Sequence, residues 1–255
     1  MQKLILLSFF LLGCFYFSFA QVKIHSHNDY DKPRPFRGAY EQQAYSIEAD
    51  VYVVNNDLAV AHTRNEIRPG HTLDSMYLDP IIHLFQQFHG RPSHDPHYTF
   101  QLMIDVKEKP GKVLQLLIQK ILPYRKYFDR QLNPMAIKVV ISGDRPPIAD
   151  YIKYPSFIFF DGRPYEKYDG ASLAKVAMIS DSFEKYSRWN GQGRMPEADR
   201  DTLQQIIRHI HQQGKLVRFW ATPDTPESWK QFHQLGVDLI NTDDVAACKK
   251  YFLGI

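Results

Sequence analysis

The sequence predicts a (β/α)8 barrel, and three observations lead to that fold class. Short β-branched or aromatic runs alternate with segments of helical periodicity along the whole chain, the pattern of a parallel sheet with crossover helices. The alternation repeats eight times, which closes such a sheet into a barrel. Polar residues two apart interrupt several strand runs near their carboxyl ends, where barrels of this kind carry their active sites.

The strand runs, in order, are Val22–Ser26, Ser46–Val54, Thr99–Val106, Ala136–Ile141, Phe157–Phe160, Val176–Ile179, Lys215–Trp220 and Val237–Ile240. Helices are expected over Gly38–Ala44, Leu73–Phe88, Gly111–Leu122, Pro146–Tyr151, Ser172–Lys175, Glu197–Gln213, Pro226–Leu235 and Val245–Phe252. The longest is the most strongly marked, because Ile206, Ile207 and Ile210 form an apolar stripe that Gly214 ends. The second strand run is followed by Asn55-Asn56-Asp57 and then Leu58–Ala61, which reads as a hairpin extending that strand. It ends on His62 and carries that histidine back over the barrel mouth.

The first twenty residues hold Lys3, a nearly unbroken apolar run and Ser18-Phe19-Ala20, the pattern of a secretory signal peptide. The run is about as long as the shortest spanning helix and has no basic flank behind it, which disfavours a membrane anchor. Leu11-Leu12-Gly13-Cys14 loosely matches a lipoprotein cleavage box, but the FYF that follows is apolar where a polar tether is expected. The expected product starts near Gln21 and is exported, periplasmic or secreted. Of the 255 residues about 235 then remain, a length suited to one barrel domain. Only Cys248 is left as a cysteine, so no internal disulfide can form and the core must hold the fold. Hydrophobic residues make up 44% of the chain, enough to fill a barrel. The net charge of +3 is mild and both signs are interleaved, which argues against nucleic acid as a partner and leaves small anions open. No second spanning segment follows the leader, and the oligomeric state is not readable.

His25 and His27 stand two apart at the end of strand one, Glu48 and Asp50 two apart in strand two, and Asp105 and Lys107 two apart at the end of strand three. Arg218 and Trp220 repeat the spacing in strand seven. Ionised groups inside a barrel are costly unless paired or metal-bound. Glu48, Asp50 and Asp105 converging from adjacent strands offer hard oxygen ligands to one divalent cation, Mg²⁺ or Ca²⁺. The alternative is a structural network in which Lys107 and an arginine neutralise the carboxylates. His27 and His62 lie beside the carboxylates and can divide general base and general acid work, with His25 orienting the site or contacting substrate. Lys107 and Arg218 would supply positive charge to a phosphoryl group, and Trp220 a substrate wall or barrel packing.

In order along the chain, His27, the IEADV segment with Glu48 and Asp50, AVAH with His62, MIDVK with Asp105 and Lys107, and VRFWATPDTPESWKQFHQLGVDLINTDD resemble the phospholipase C-like phosphodiesterases. Within that superfamily the chain is similar to glycerophosphodiester phosphodiesterases and spider-venom-type sphingomyelinases D. His25-Ser26-His27-Asn28-Asp29-Tyr30, Thr72-Leu73 and Tyr77-Leu78-Asp79-Pro80 resemble the branch that includes the altered-inheritance-of-mitochondria proteins. The resemblance implies a metal-dependent phosphodiester hydrolase with Glu48, Asp50 and Asp105 on the cation and His27 and His62 as the catalytic pair. It also implies Lys107 on phosphate, Trp220 shaping the pocket, and a small phosphodiester or phospholipid head group as substrate. Two departures stand out: Asn28 and Asp29 follow the first histidine where glycerophosphodiester enzymes have arginine and glycine, and the PENT-like stretch between strands one and two is absent.

Two other readings compete. His-Ser-His at the end of a first strand also resembles amidohydrolase barrels, but those need further histidines at later strand ends, where this chain has Phe160-Asp161 and Ser180-Asp181. An exported barrel that binds a ligand without turnover is the third reading. Arg145, Asp161, Arg163, Trp189 and Asn190 are the residues expected to read the head group.

Overall fold

The computed structural model describes residues 22–254; the leader segment with Cys14 lies outside the described residues. Nine strands form one sheet: β1 (Lys23–Ser26), β2 (Ser46–Val54), β3 (Asp57–Val60), β4 (Gln101–Val106), β5 (Lys138–Gly143), β6 (Ile158–Gly162), β7 (Val176–Ser182), β8 (Leu216–Trp220) and β9 (Leu239–Thr242). Eight of them pair in parallel in the order β1-β2-β4-β5-β6-β7-β8-β9, and β9 returns to β1 to close the barrel. The ninth, β3, is the expected hairpin, antiparallel to β2 with Val51 opposite Val60. Its turn residues Asn55 and Asn56 both have positive φ, 47° and 60°, the tight turn whose twist matches the flanking strands.

Residue alternation along the strands sorts side chains into two cores. In β4, Leu102, Ile104 and Val106 face the helices, while Gln101, Met103 and Asp105 face the barrel axis. The outer core is large and mixes aliphatic with aromatic side chains, and the α-helices cover it. Of these, α3 (Pro110–Ile121) buries Val113, Leu114, Leu116, Leu117 and Ile121 on one stripe. In α5 (Glu197–Gln212) the buried stripe is Leu203, Ile207 and Ile210, with Ile206 only partly covered, and Gly214 at φ 69° follows its end. The remaining helices are α1 (Arg37–Glu41), α2 (Asp79–Gln87), α4 (Gly170–Ala174), α6 (Pro226–Leu235) and α7 (Val245–Leu253). Thr225 and Asp244 cap the last two by accepting from the backbone N–H of Ser228 and Ala247.

The expected helix over Leu73–Phe88 exists, but its first part, Asp74–Leu78, is wound as a π-turn before α2 continues regularly. The short segment expected at Pro146–Tyr151 is a 3₁₀ stretch over Ile148–Lys153. Among the described residues no helix is long and apolar enough to cross a membrane.

Inside the barrel, Met103, Val140, Met178 and Leu239 form a separate buried plug, with Tyr45, Phe159 and Leu216 packed against it. Towards the carboxyl ends of the strands the inward positions turn polar: Glu48, Asp50, Asp105, Ser142, Asp161, Ser180, Arg218 and Asn241. Leu58 on the hairpin is fully buried and anchors it to the body. Leu58→Ala is expected to cost about 2–5 kcal/mol, read as a lower urea midpoint with an unchanged slope.

Candidate metal-dependent active site

Strand register brings the three acidic residues together. Asp50 of β2 and Asp105 of β4 are register partners, Glu48 lies one inward position below Asp50, and the three offer oxygens that all lie within 4.8 Å of one another. Glu48 and Asp50 are buried, and Asp105 is partly exposed. Two cations offset part of this charge. Lys107 Nζ lies 2.7 Å from Asp50 Oδ2 and 3.2 Å from Asp105 Oδ1. Arg218 Nη1 donates to Glu48 Oε2 at 3.2 Å and to Asn241 Oδ1 at 3.1 Å.

His25 is fully buried, with Nε2 2.6 Å from Glu48 Oε2 and Nδ1 2.7 Å from Ser46 Oγ. Gln101 Nε2 donates to the same Ser46 oxygen at 3.0 Å. Gln101 donates to Ser46, whose oxygen also meets His25 Nδ1, while His25 Nε2 lies between Glu48 Oε2 and the Arg218 Nη1 donor, 2.5 Å away. Burial, helped by the Arg218 charge beside it, lowers His25 to about 4, so the ring is neutral. Burial alone would raise Glu48, but the His25 bond and the Arg218 guanidinium hold it well below the ordinary carboxylate range. His25, expected either to orient the site or to contact substrate, lies beneath Glu48, and so does Arg218, expected on substrate phosphate and only 3% exposed.

Asp50 is the unsettled member. Burial and the Glu48 charge push its carboxyl up to about 6, against the pull of Lys107. Burial likewise raises Asp105, and the charges of Asp50 and Asp105 outweigh burial at Lys107 and hold the ammonium above its ordinary value. Asp50 Oδ1 is buried and has no hydrogen-bond partner among the described residues. Three carboxylates against one lysine, one arginine and a neutral histidine leave one negative charge over. That excess and the orphaned oxygen suit a hard divalent cation better than a closed structural network, so Glu48, Asp50 and Asp105 are the residues that could hold one.

The two candidate catalytic histidines reach this site from different elements. His27 follows β1, and its Nδ1 is 3.2 Å from Asp243 Oδ1, which also takes Lys32 Nζ at 3.0 Å. The His27 bond, against partial burial, lowers Asp243 to about 2. His62 follows the hairpin, with Nδ1 3.0 Å from the Tyr30 hydroxyl and 3.4 Å from Asp50 Oδ2. Tyr30 donates its proton to Asp50 Oδ2 at 2.7 Å, so its oxygen is left to accept from His62 Nδ1–H. Both rings are thereby held through Nδ1, and among the described residues neither Nε2 makes a hydrogen bond. Trp220 is half-buried at the end of β8.

Tyr30, Asp243 and Gly143 were not singled out by sequence reasoning. Tyr30 sits in a 3₁₀ turn over Asp29–Asp31, and buried Asp29 pins that loop by accepting from Ser26 Oγ at 2.9 Å, Phe36 N at 2.5 Å and Tyr77 Oη at 3.0 Å. The Asn28-Asp29 departure noted above is therefore a loop anchor, and Asn28 takes the left-handed backbone, φ 47°, that the turn needs. Gly143 ends β5 at φ 68°, where an added Cβ would overlap Asp105 Oδ1 and the Val106 carbonyl. The Asn-Asp-Tyr run and the Thr-Asp-Asp after the last strand were visible, but neither has a spacing that points to a partner so far off in sequence.

A model of the AIM6-like phosphodiesterase domain matches residues 15–161, which include His27, Glu48, Asp50, His62, Asp105 and Lys107. The chain belongs to the AIM6-like phosphodiesterase family. A model of the glycerophosphoryl diester phosphodiesterase family matches residues 217–246, the stretch with Arg218, Trp220, Asn241 and Asp243. Altered inheritance of mitochondria protein 6 of Eremothecium gossypii is 28% identical over 90% of this chain and 69% of its own length. The homologue in Arthroderma benhamiae is 26% identical over 91% and 84%. In fold, the chain is similar to a glycerophosphodiester phosphodiesterase from Parabacteroides distasonis, with a TM-score of 0.57 at 16% identity over 92% of this chain and 98% of that one. A glycerophosphoryl diester phosphodiesterase from Silicibacter pomeroyi, titled putative, aligns with a TM-score of 0.51 at 12% identity over 91% and 90%. Both show the barrel.

Two outcomes test the site. Burial and the Glu48 charge push the Asp50 carboxyl up to about 6 from the ordinary aspartate value of about 4, so without a cation its burial opposes folding as pH rises. The penalty is absent below about pH 4, grows between about 4 and 6, and is complete above that. A cation on Asp50 removes it, so Mg²⁺ or Ca²⁺ should raise Tm more at pH 8 than at pH 5; equal shifts would rule the carboxylates out as ligands. Gly143→Ala should weaken that cation-dependent shift by displacing Asp105.

Proposed function

We propose that this protein is a metal-dependent phosphodiester hydrolase acting on a glycerophosphodiester or phospholipid-like substrate. The observation that carries the reading is a buried carboxylate with a spare oxygen, Asp50, linked through the Tyr30 hydroxyl to His62, a histidine about half exposed. Family membership and the barrel support the same reaction class, although a fold alone does not choose a substrate.

Glu48, Asp50 and Asp105 are the ligands for one Mg²⁺ or Ca²⁺, which when bound would withdraw charge from a phosphate oxygen. Lys107, a quarter exposed beside them, supplies a second positive charge to the phosphoryl group. One of His27 and His62 removes a proton from the attacking water or substrate hydroxyl, and the other protonates the leaving alkoxide. Asp243 and Tyr30 fix which ring nitrogen of each does so. His25 and Arg218 act through Glu48, which they hold ionised and aimed. Trp220 walls the substrate.

Turnover of bis(p-nitrophenyl) phosphate by the chain freed of its leader, with and without divalent cation, tests this directly. His27→Asn and His62→Asn should each lower kcat by about 10²–10⁴-fold while cation affinity stays near that of the wild type. Glu48→Gln and Asp50→Asn should lose the cation first and activity with it. Near-full, metal-dependent turnover in both histidine variants would refute the paired mechanism, and cation-independent wild-type turnover the metal. We also infer export from the leader; N-terminal sequencing of the native protein should find a start near Gln21, and a start at lipid-modified Cys14 would overturn this.

A further inference from the structure

Five residues were expected to read the head group, and the structure leaves one of them equipped for it. Arg145 is committed: its Nη2 and Nη1 grip Glu166 at 2.8 and 3.2 Å, Nη1 also donates to the Asp161 carbonyl at 2.7 Å, and Nε is buried. Trp189 is 9% exposed and spends its indole N–H on the Gln192 carbonyl. Asn190 lies out on the same loop, its amide oxygen taken by Gln192 N.

Arg163 is different. It directly follows β6, and its Nη1 alone makes the contacts, to Asp161 Oδ2 at 2.9 Å and to the Gly162 carbonyl at 2.8 Å, with longer ones to the Asp161 carbonyl and Ser180 Oγ. Asp161 is fully buried on the barrel axis and accepts from Ser142 of β5 and Ser180 of β7. Ser142 is the register partner of Asp105, so Asp161 lies one strand beyond the level of the acidic cluster. The guanidinium therefore lies over the barrel axis in the polar mouth, with its side chain 11% exposed. Among the described residues its Nε and Nη2 make no hydrogen bond, and unlike those of Arg145 and Arg218 its Nε is not sealed off. Nε–H and Nη2–H are the parallel pair with which arginine grips a carboxylate or phosphate side-on.

The seat is rigid. Arg163 N donates to Glu166 Oε2 at 2.9 Å and to Tyr168 Oη at 3.0 Å, and a Cβ at Gly162 would overlap that hydroxyl. The Arg145–Glu166 ion pair ties this loop to β5 and β6. The cation ligands lie on β2 and β4, and Lys107 follows β4, two strands and more from β6, so Arg163 stands on a different side of the mouth from the carboxylates.

We propose that Arg163, seated by Asp161, binds a second anionic group on the substrate, a carboxylate or phosphate carried by one of the two alcohols of the diester. This rests on the hydrolase reading above and narrows its substrate class to diesters with a negative charge beyond that of the scissile phosphate. The test compares bis(p-nitrophenyl) phosphate with a p-nitrophenyl diester of a carboxylate-bearing alcohol. Wild type should favour the carboxylate diester in kcat/KM by about tenfold to a hundredfold, the range of a charge-assisted hydrogen-bond pair. In R163Q the preference should vanish through KM, and R163K, with a point charge and no fork, should keep part of it. No preference in the wild type, or its persistence in R163Q, overturns the proposal. So does an equal loss on both diesters, which would place the guanidinium on the phosphate or in the scaffold. Calorimetry with the non-hydrolysable phosphonate analogue of the carboxylate diester separates the two readings. Arg163-dependent binding without turnover of either diester would sink the hydrolase and keep the anion site, and turnover with Arg163-independent binding would do the reverse.

Discussion

Mutual repulsion among Glu48, Asp50 and Asp105 is the constraint on which most of the polar structure depends. Carboxylate oxygens within 4.8 Å of one another repel by on the order of 3 kcal/mol per pair at an effective dielectric of about 20. The barrel answers each member differently. Glu48 is fully neutralised from below by His25 and Arg218, and stays ionised. Asp105 and Asp50 share Lys107, and Asp50 takes the Tyr30 proton as well. The compensation stops one charge short, and the shortfall collects on Asp50, which has the spare oxygen.

Placing that charge in a barrel interior requires a floor. Met103, Val140, Met178 and Leu239 supply it, and Ser46, Gln101 and His25 form the layer through which apolar interior changes to charged mouth. Each of those three is satisfied within the layer, so the transition leaves no orphaned donor there. The hydrogen-bond chain from Gln101 to Glu48 thus does two things, closing the core and fixing the direction of a candidate ligand.

Much of this was legible because strand periodicity is a local property. Pairs two apart, His25/His27, Glu48/Asp50 and Asp105/Lys107, are placed on the barrel axis by alternation alone, and the Asn55-Asn56 turn announces the hairpin that returns His62. Depth along the axis was not legible. His25 and His27 share a face, yet one is sealed under Glu48 and the other stands at the mouth, because strand stagger fixes depth and only pairing register reveals it. For the same reason Arg218 read as a phosphate ligand and turns out to sit beneath Glu48, a candidate cation ligand. No role was legible for Asp243 and Tyr30, since their partners lie 216 and 20 residues away. The π-turn opening Asp74–Leu78 has no residue pattern that separates it from an ordinary helix start.

The supports of the two histidines are unequal, and the inequality follows from where the chain puts them. His27 continues a barrel strand, and its backbone N–H still bonds to Thr242 of β9 while its ring leans on Asp243 just beyond that strand. His62 has left the sheet at the end of a hairpin, is about half exposed, and is held at Nδ1 by the hydroxyl of a loop tyrosine. That loop is in turn fastened by buried Asp29 and Tyr77. The fixed histidine is thus built into the barrel wall, whereas the placement of the other depends on two surface segments agreeing. A barrel can vary those segments without disturbing its strands, so the His62 side of the mouth is the side the fold leaves adjustable.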